Sequence, residues 1–309
     1  MKIFFATDIH ASTVCYKKYL NALKIYKADA GILLGDLTGK LLIPLVERPG
    51  GGWETNFLGQ SLTITTTEEL DKLKKNVEMV GYYWCIMNDE EFRALKADQK
   101  KQDDLFKSLV LARMKEWMAL AEERLAGTGI TLYMAPGNDD VPEVDDVINA
   151  SKLVVNCNDR VVKIGDHEMV TFAWTNPTPW DTPREKTDEE LEPMLEALIS
   201  NVKNKSQAIF NFHAPPYGFA LDLAPELTKD LVQAAQRKIH VGSKAVAKMI
   251  EKYQPILGLH GHIHESRGIQ QIHKTTIINP GSEYSEGILR GVILVLEKGK
   301  LKDYIFTSG

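Results

Sequence analysis

The chain has 309 residues, of which 44% are hydrophobic and 26% charged, and its formal net charge is -5. This is the composition of a folded globular protein, long enough for one large domain or two ordinary ones. The mild acidity argues against a nucleic-acid partner, which selects a basic excess, and no apolar run reaches the roughly 20 residues of a membrane helix.

KIFFAT opens the chain as a short apolar strand and leads into the polar DIHAS. Residues 12–27 then form an amphipathic segment, with Ser12 as N-cap and Val14, Tyr19, Leu23 and Tyr26 at helical spacing. A second strand, AGILLGD, follows, and strand, helix, strand is the signature of an α/β unit. The 40–127 stretch stands apart. LLIPLVERPGGGWETNFLGQSLTI reads as two extended pieces joined by a Gly-rich turn, with Pro44 suggesting an edge. Thr66 and Glu69 make a capping box, and the stripe Leu70, Leu73, Val77, Val80, Trp84, Met87 predicts one helix. A second helix is expected over 106–125, with Val110, Met114, Trp117 and Ala121 facing inward. The pair reads either as helices packed on a sheet or as a lid over the active site.

Further strands end in polar residues: ITLYMAPGND, QAIFNFHAPP, ILGLHGHIH, TTIINPGS and GVILVLE. VVKIGDH and EMVTFAW suggest a hairpin around Gly165 and Asp166. Helices are expected at 188–200, split or started late by Pro193, and at 243–253. KIFFAT is too short for a signal-peptide core, and Cys15, Cys85 and Cys157 are odd in number with no CxxC, so the expected setting is a reducing cytoplasm.

HGHIH at 260–264 spends three of the eight histidines within five positions. Alone it reads equally as a buried hydrogen-bonded cluster or as a metal site. The other strand ends shift that balance: Asp8 and His10, Asp36, Asn138, and His213 each follow an apolar run, as do His262 and His264. Ligands of open α/β sheets bind outside the carboxyl ends of strands. Carboxylate, amide and imidazole together suit borderline divalent metals better than calcium.

The ordered set Asp8-Ile9-His10, Gly35-Asp36, Gly137-Asn138-Asp139-Asp140, His213 and Gly261-His262-Ile263-His264 resembles the calcineurin-like metallophosphoesterases. The nearest likeness is to bacterial and archaeal phosphoesterases related to the cyclic-AMP phosphodiesterase branch, a likeness that Phe212-His213-Ala214-Pro215-Pro216, His240-Val241-Gly242-Ser243 and Asn279-Pro280-Gly281-Ser282-Glu283 share. The resemblance implies an α/β fold, a four-layer α/β/β/α sandwich of two mixed sheets, with residues 1–309 as one domain and 40–127 as a mainly helical insertion. It also implies two divalent metal ions, manganese foremost and iron, zinc or nickel as options. Asp8, His10 and His264 would hold one ion, Asn138, His213 and His262 the other, and Asp36 would bridge them. His260 is outside this set and reads as a supporting strand histidine.

One position departs from the pattern. Where most of the superfamily carries histidine after Gly-Asn, to contact phosphate and protonate the leaving group, this chain has Asp139. A carboxylate there would repel a dianionic monoester more than a monoanionic diester, so Asp139 and Asn138 are the candidate catalytic residues of a phosphodiesterase acting on a small phosphate ester. Phosphomonoesterase, nuclease and non-catalytic scaffold are the alternatives. Substrate and oligomeric state are left open at this stage.

Overall fold

The first strand, Lys2–Thr7, is buried on both faces, as strands covered on two sides are. Its alternate residues enter two different cores: Phe4 and Ala6 pack among helices, whereas Ile3 and Phe5 pack against a second sheet. That division sets the layers. The structure is a computed structural model describing residues 1–227 and 233–309. Its helices in chain order are α1 (Thr13–Ile25), α2 (Thr67–Met79), α3 (Asp89–Lys96), α4 (Gln99–Leu125), α5 (Glu143–Asn149), α6 (Asp188–Ser200) and α7 (Lys244–Tyr253).

One six-stranded sheet runs in the spatial order Lys300–Ser308, Arg290–Glu297, Lys2–Thr7, Ala30–Leu34, Thr131–Ala135, Val154–Asn156. Its last four strands are parallel and the first two antiparallel. The other has the order Gly268–Ile272, Thr275–Asn279, Leu257–Leu259, Ile209–Phe212, His167–Phe172, Val161–Ile164, a parallel centre with an antiparallel strand at each edge. Ile32, Leu34 and Tyr133 of the first sheet meet Met169, Ile209 and Leu259 of the second in the central core. Helices α1, α4 and α5 cover the outer face of the first sheet, and α6 and α7 that of the second. The result is the expected α/β/β/α sandwich.

Local chemistry explains the helices. Ser12 caps α1 by accepting the Cys15 N–H, and the buried face is Cys15, Tyr16, Tyr19, Leu20 and Leu23, rotated away from the expected Val14 and Tyr26. Trp117 of α4 stacks on Tyr16 at 4.3 Å, and the Tyr16 hydroxyl donates to the Trp117 carbonyl. Pro193 neither splits nor delays α6. The Thr187–Glu190 capping box starts that helix at Asp188, and its buried Leu191, Leu195 and Ile199 hold it through the proline.

The 40–127 segment is helical for the greater part and also carries a four-stranded sheet with its own core. Leu42–Glu47 and Trp53–Phe57 form the expected hairpin, Gln60–Ile64 extends it, and Tyr83–Met87 joins on the other side. Pro44 therefore lies in an inner strand, not at an edge. It is tolerated because pairing with Trp53–Phe57 begins only at Val46. The long apolar stripe is not one helix either. α2 ends at Met79, Gly81 turns the chain with φ +81°, and Trp84 and Met87 belong to the Tyr83–Met87 strand. Among the described residues, no helix is long and apolar enough to cross a membrane.

Candidate metal centre

The proposed ligands all lie just beyond the carboxyl ends of parallel strands. Asp8 and His10 follow Lys2–Thr7, Asp36 follows Ala30–Leu34, Asn138 follows Thr131–Ala135, and His213 follows Ile209–Phe212. His262 and His264 lie past Leu257–Leu259, which ends before His260, so HGHIH is a loop rather than a strand face. Within that loop His262 takes φ +67°. Asp8, His10 and Asp36 are also at positive φ, a conformation that costs energy for side-chain-bearing residues and clusters at functional sites.

The side chains converge. Asp8, His10, Asp36 and His264 each present a ligand atom within 4.8 Å of the others, and Asp36, His213 and His262 do the same. Asp36 is common to both groups. The Nε2 atoms of His10 and His264 are 3.1 Å apart, and His264 Nε2 lies 3.6 Å from Asp8 Oδ1. His213 Nε2 lies 3.4 Å from Asp36 Oδ1 and 3.0 Å from Asn138 Oδ1. The Asn138 amide donates its N–H to Thr182 Oγ1, which turns the carbonyl oxygen toward His213. This donor set fits a pair of divalent ions: two clusters of oxygen and nitrogen lone pairs meet at one shared carboxylate.

Close approach needs glycine. A Cβ on Gly35 would stand 2.0 Å from His213 Nδ1, and one on Gly137 would stand 2.2 Å from both the backbone nitrogen and Oδ1 of Asp36. On Gly261 it would meet Asp8 Oδ2 at 2.3 Å.

The clustered charges act on one another. Burial works against the charge of Asp8, but His213 and His264 outweigh it and hold the carboxyl down at about 2. Burial likewise opposes a charged His213, but Asp36 and Asp8 push it up to about 9. Burial lowers His10 to about 3, and burial with the adjacent His213 lowers His262 to about 4.

Asp139 reaches the same place. Its N–H donates to Asp36 Oδ1, its Oδ2 lies 3.8 Å from His10 Nδ1, and Lys40 Nζ sits 2.5 Å from that oxygen. Burial and then Asp36 push the Asp139 carboxyl up to about 7, with Lys40 opposing. Asp140 points away and ties two loops together: its carboxylate accepts from the N–H groups of Leu37, Thr38 and Gly137. His260 is buried just past the strand end and not in the strand, its Nδ1 between the Phe212 and Ala214 carbonyls.

Several residues support the ligands through contacts that the sequence does not display. Asn279 donates to the Gly261 and Ile263 carbonyls, and Ser282 Oγ donates to the Asp8 carbonyl, which gives the Asn-Pro-Gly-Ser turn its purpose. Tyr284 lies against His10, with ring centroids 4.5 Å apart. Lys40 had no local signal, since its partner is far away in sequence.

The sequence model for calcineurin-like phosphoesterases matches residues 1–266. An uncharacterised protein of Methanocaldococcus jannaschii is 40% identical over 147 residues, 47% of this chain and 61% of that protein. The alignment thus spans less than two thirds of that relative. Among solved structures, one aligns over 95% of this chain and 94% of its own with TM-score 0.57 at 14% identity. A protein of Thermus thermophilus aligns over 100% of this chain and 97% of its own with TM-score 0.52, also at 14% identity. At such identities the likeness shows the fold alone. The family match is of another order, since it runs through each of the strand ends that meet at Asp36 up to His264, and by it the chain belongs to the calcineurin-like phosphoesterases.

Proposed function

We propose that this protein is a phosphodiesterase for small organic phosphodiesters, working with two divalent ions, manganese foremost. Asp8, His10 and His264 would hold one ion and Asn138, His213 and His262 the other, with Asp36 common to both groups. When bound, such a pair polarises the phosphoryl oxygens and makes a water acidic enough to attack near neutral pH. The two carboxylates draw the ions in, the buried imidazoles fix their places, and Asn138 adds an uncharged oxygen that leaves the centre net positive for an anionic ester.

The observation that supports a diester is Asp139 with Lys40 at 2.5 Å. Bound cations favour the ionised carboxyl, so this slot holds an ion pair in place of an imidazole. An ionised Asp139 has no proton of its own to give the departing oxygen, which favours leaving groups that are stable as anions. A second negative charge on the substrate, as in a monoester, meets the Asp139 carboxylate at close range. Three unpaired cysteines support a reducing compartment.

Purified protein loaded with Mn²⁺ and given bis(4-nitrophenyl) phosphate and 4-nitrophenyl phosphate tests this reading. The diester is expected to show the higher kcat/KM. A large monoester advantage overturns it, and salt-sensitive cleavage of DNA or RNA in preference to both would make the protein a nuclease.

A further inference from the structure

Lys40 connects the centre to a cavity that the 40–127 segment builds. Besides pairing with Asp139, its side chain lines a space of about 420 Å³ between the first strand of that segment and helices α3 and α4. Small-molecule sites span roughly 300–1,000 Å³. The walls are mainly apolar: Leu41, Leu42 and Pro44 on one side, Phe92 and Leu95 of α3 on another, and Phe106 of α4. The α3 helix is otherwise polar and has no buried residue. Phe92 and Leu95 are three positions apart and so share a face, and that face looks into the cavity instead of a core. Gln99 donates to the Asp103 carboxylate and Gln102 to the Lys96 backbone carbonyl. Lys96 and Asp103 also line the space, so its wall is mainly apolar with a few charged groups, and Lys40, paired with Asp139, joins it to the centre.

We propose that this cavity receives one organic arm of the substrate and that this arm is apolar, an aromatic ring or a hydrocarbon chain. The inference rests on the phosphodiester reading and adds the substrate's class to it: a diester has two organic arms and one negative charge, so one arm can lie in the cavity while the phosphorus lies at the ions. The 40–127 segment then acts as a specificity wall.

Two measurements on the Mn²⁺-loaded protein test it. The first compares hydrolysis of methyl and phenyl 4-nitrophenyl phosphate, which differ only in the arm that stays on phosphorus. The second compares calorimetric binding of methyl phosphate and phenyl phosphate. The phenyl compounds are expected to be favoured on the order of 10-fold in both kcat/KM, chiefly through KM, and affinity. Phe92→Ala and Leu95→Asn, both half-buried on a helix with no fully buried residue, are each expected to bring the two ratios toward one. Ratios near one in the wild type, or ratios that survive both substitutions, overturn the cavity assignment even if diesters are hydrolysed. Absence of diester turnover with an intact binding preference removes the diester reading and supports the cavity.

Discussion

Gly137→Ala probes whether the ligands have to meet as closely as they do. The added methyl carbon would lie 2.2 Å from the Asp36 nitrogen and carboxylate oxygen and 2.8 Å from His213 Nε2. Ordinary contact for a Cβ begins near 3.4 Å, so the Gly137 loop or the shared carboxylate has to move by about 1 Å. Overpacking of this kind costs about 1–3 kcal/mol, a loss of a few degrees in melting temperature for a chain of this size. Catalysis is more sensitive: a displacement of about 1 Å at a reacting centre costs on the order of 100-fold. The expected outcome is therefore a folded protein with a modest fall in melting temperature, weaker Mn²⁺ binding by calorimetry, and kcat/KM on an aryl phosphodiester lower by roughly two orders of magnitude. Gly50→Ala is the control, because a Cβ there meets nothing within 4 Å. If Gly137→Ala binds metal and turns over substrate as the wild type does, the close approach of the Asn138 and Asp36 loops is not what assembles the centre.

Other expectations follow from the same geometry. Asp139→His replaces the ion pair with a proton donor and should raise monoester turnover relative to diester and change the pH–rate profile; an unchanged profile places Asp139 outside the chemistry. Chelation should abolish activity and lower the melting temperature, and Mn²⁺ should restore both, because the ions bind only the folded arrangement. Cys15 and Cys157 are buried and burial raises both thiols, Cys157 to about 12. A thiol reagent at pH 8 should therefore modify neither in the native protein while Cys85, half-buried, reacts slowly; rapid labelling of three thiols would contradict the core packing.

The centre was legible in the sequence because a parallel sheet delivers the residues after its strands to one edge. Asp8, Asp36, Asn138 and His213 needed only their apolar runs to be placed there. Capping at Ser12 and Thr66 was readable for a local reason, since each cap is written within four residues. The misreadings come from long-range causes. Trp84 and Met87 continue the spacing of Leu70 to Val80, so periodicity alone could not detect that Gly81 stops α2. That turn is dictated by tertiary packing, because a Cβ on Gly81 would stand 1.9 Å from the His10 carbonyl oxygen. Pro193 is a local exception, since the cap and the buried stripe Leu191, Leu195 and Ile199 carry α6 through it. Lys40 and Asp139 are paired across a hundred positions of chain, and only the fold brings them together. Asp140 reads locally as a turn residue, and it does close one, but its carboxylate also holds the Leu37 and Thr38 amides of a different loop.

Metal stoichiometry tests the central claim most directly. Elemental analysis of Mn²⁺-equilibrated wild type and of Asp36→Ala should give two ions per chain for the first and at most one for the second, since Asp36 is the group both clusters share. A wild type that holds no metal, or an Asp36→Ala protein that keeps two ions and full activity, would contradict it.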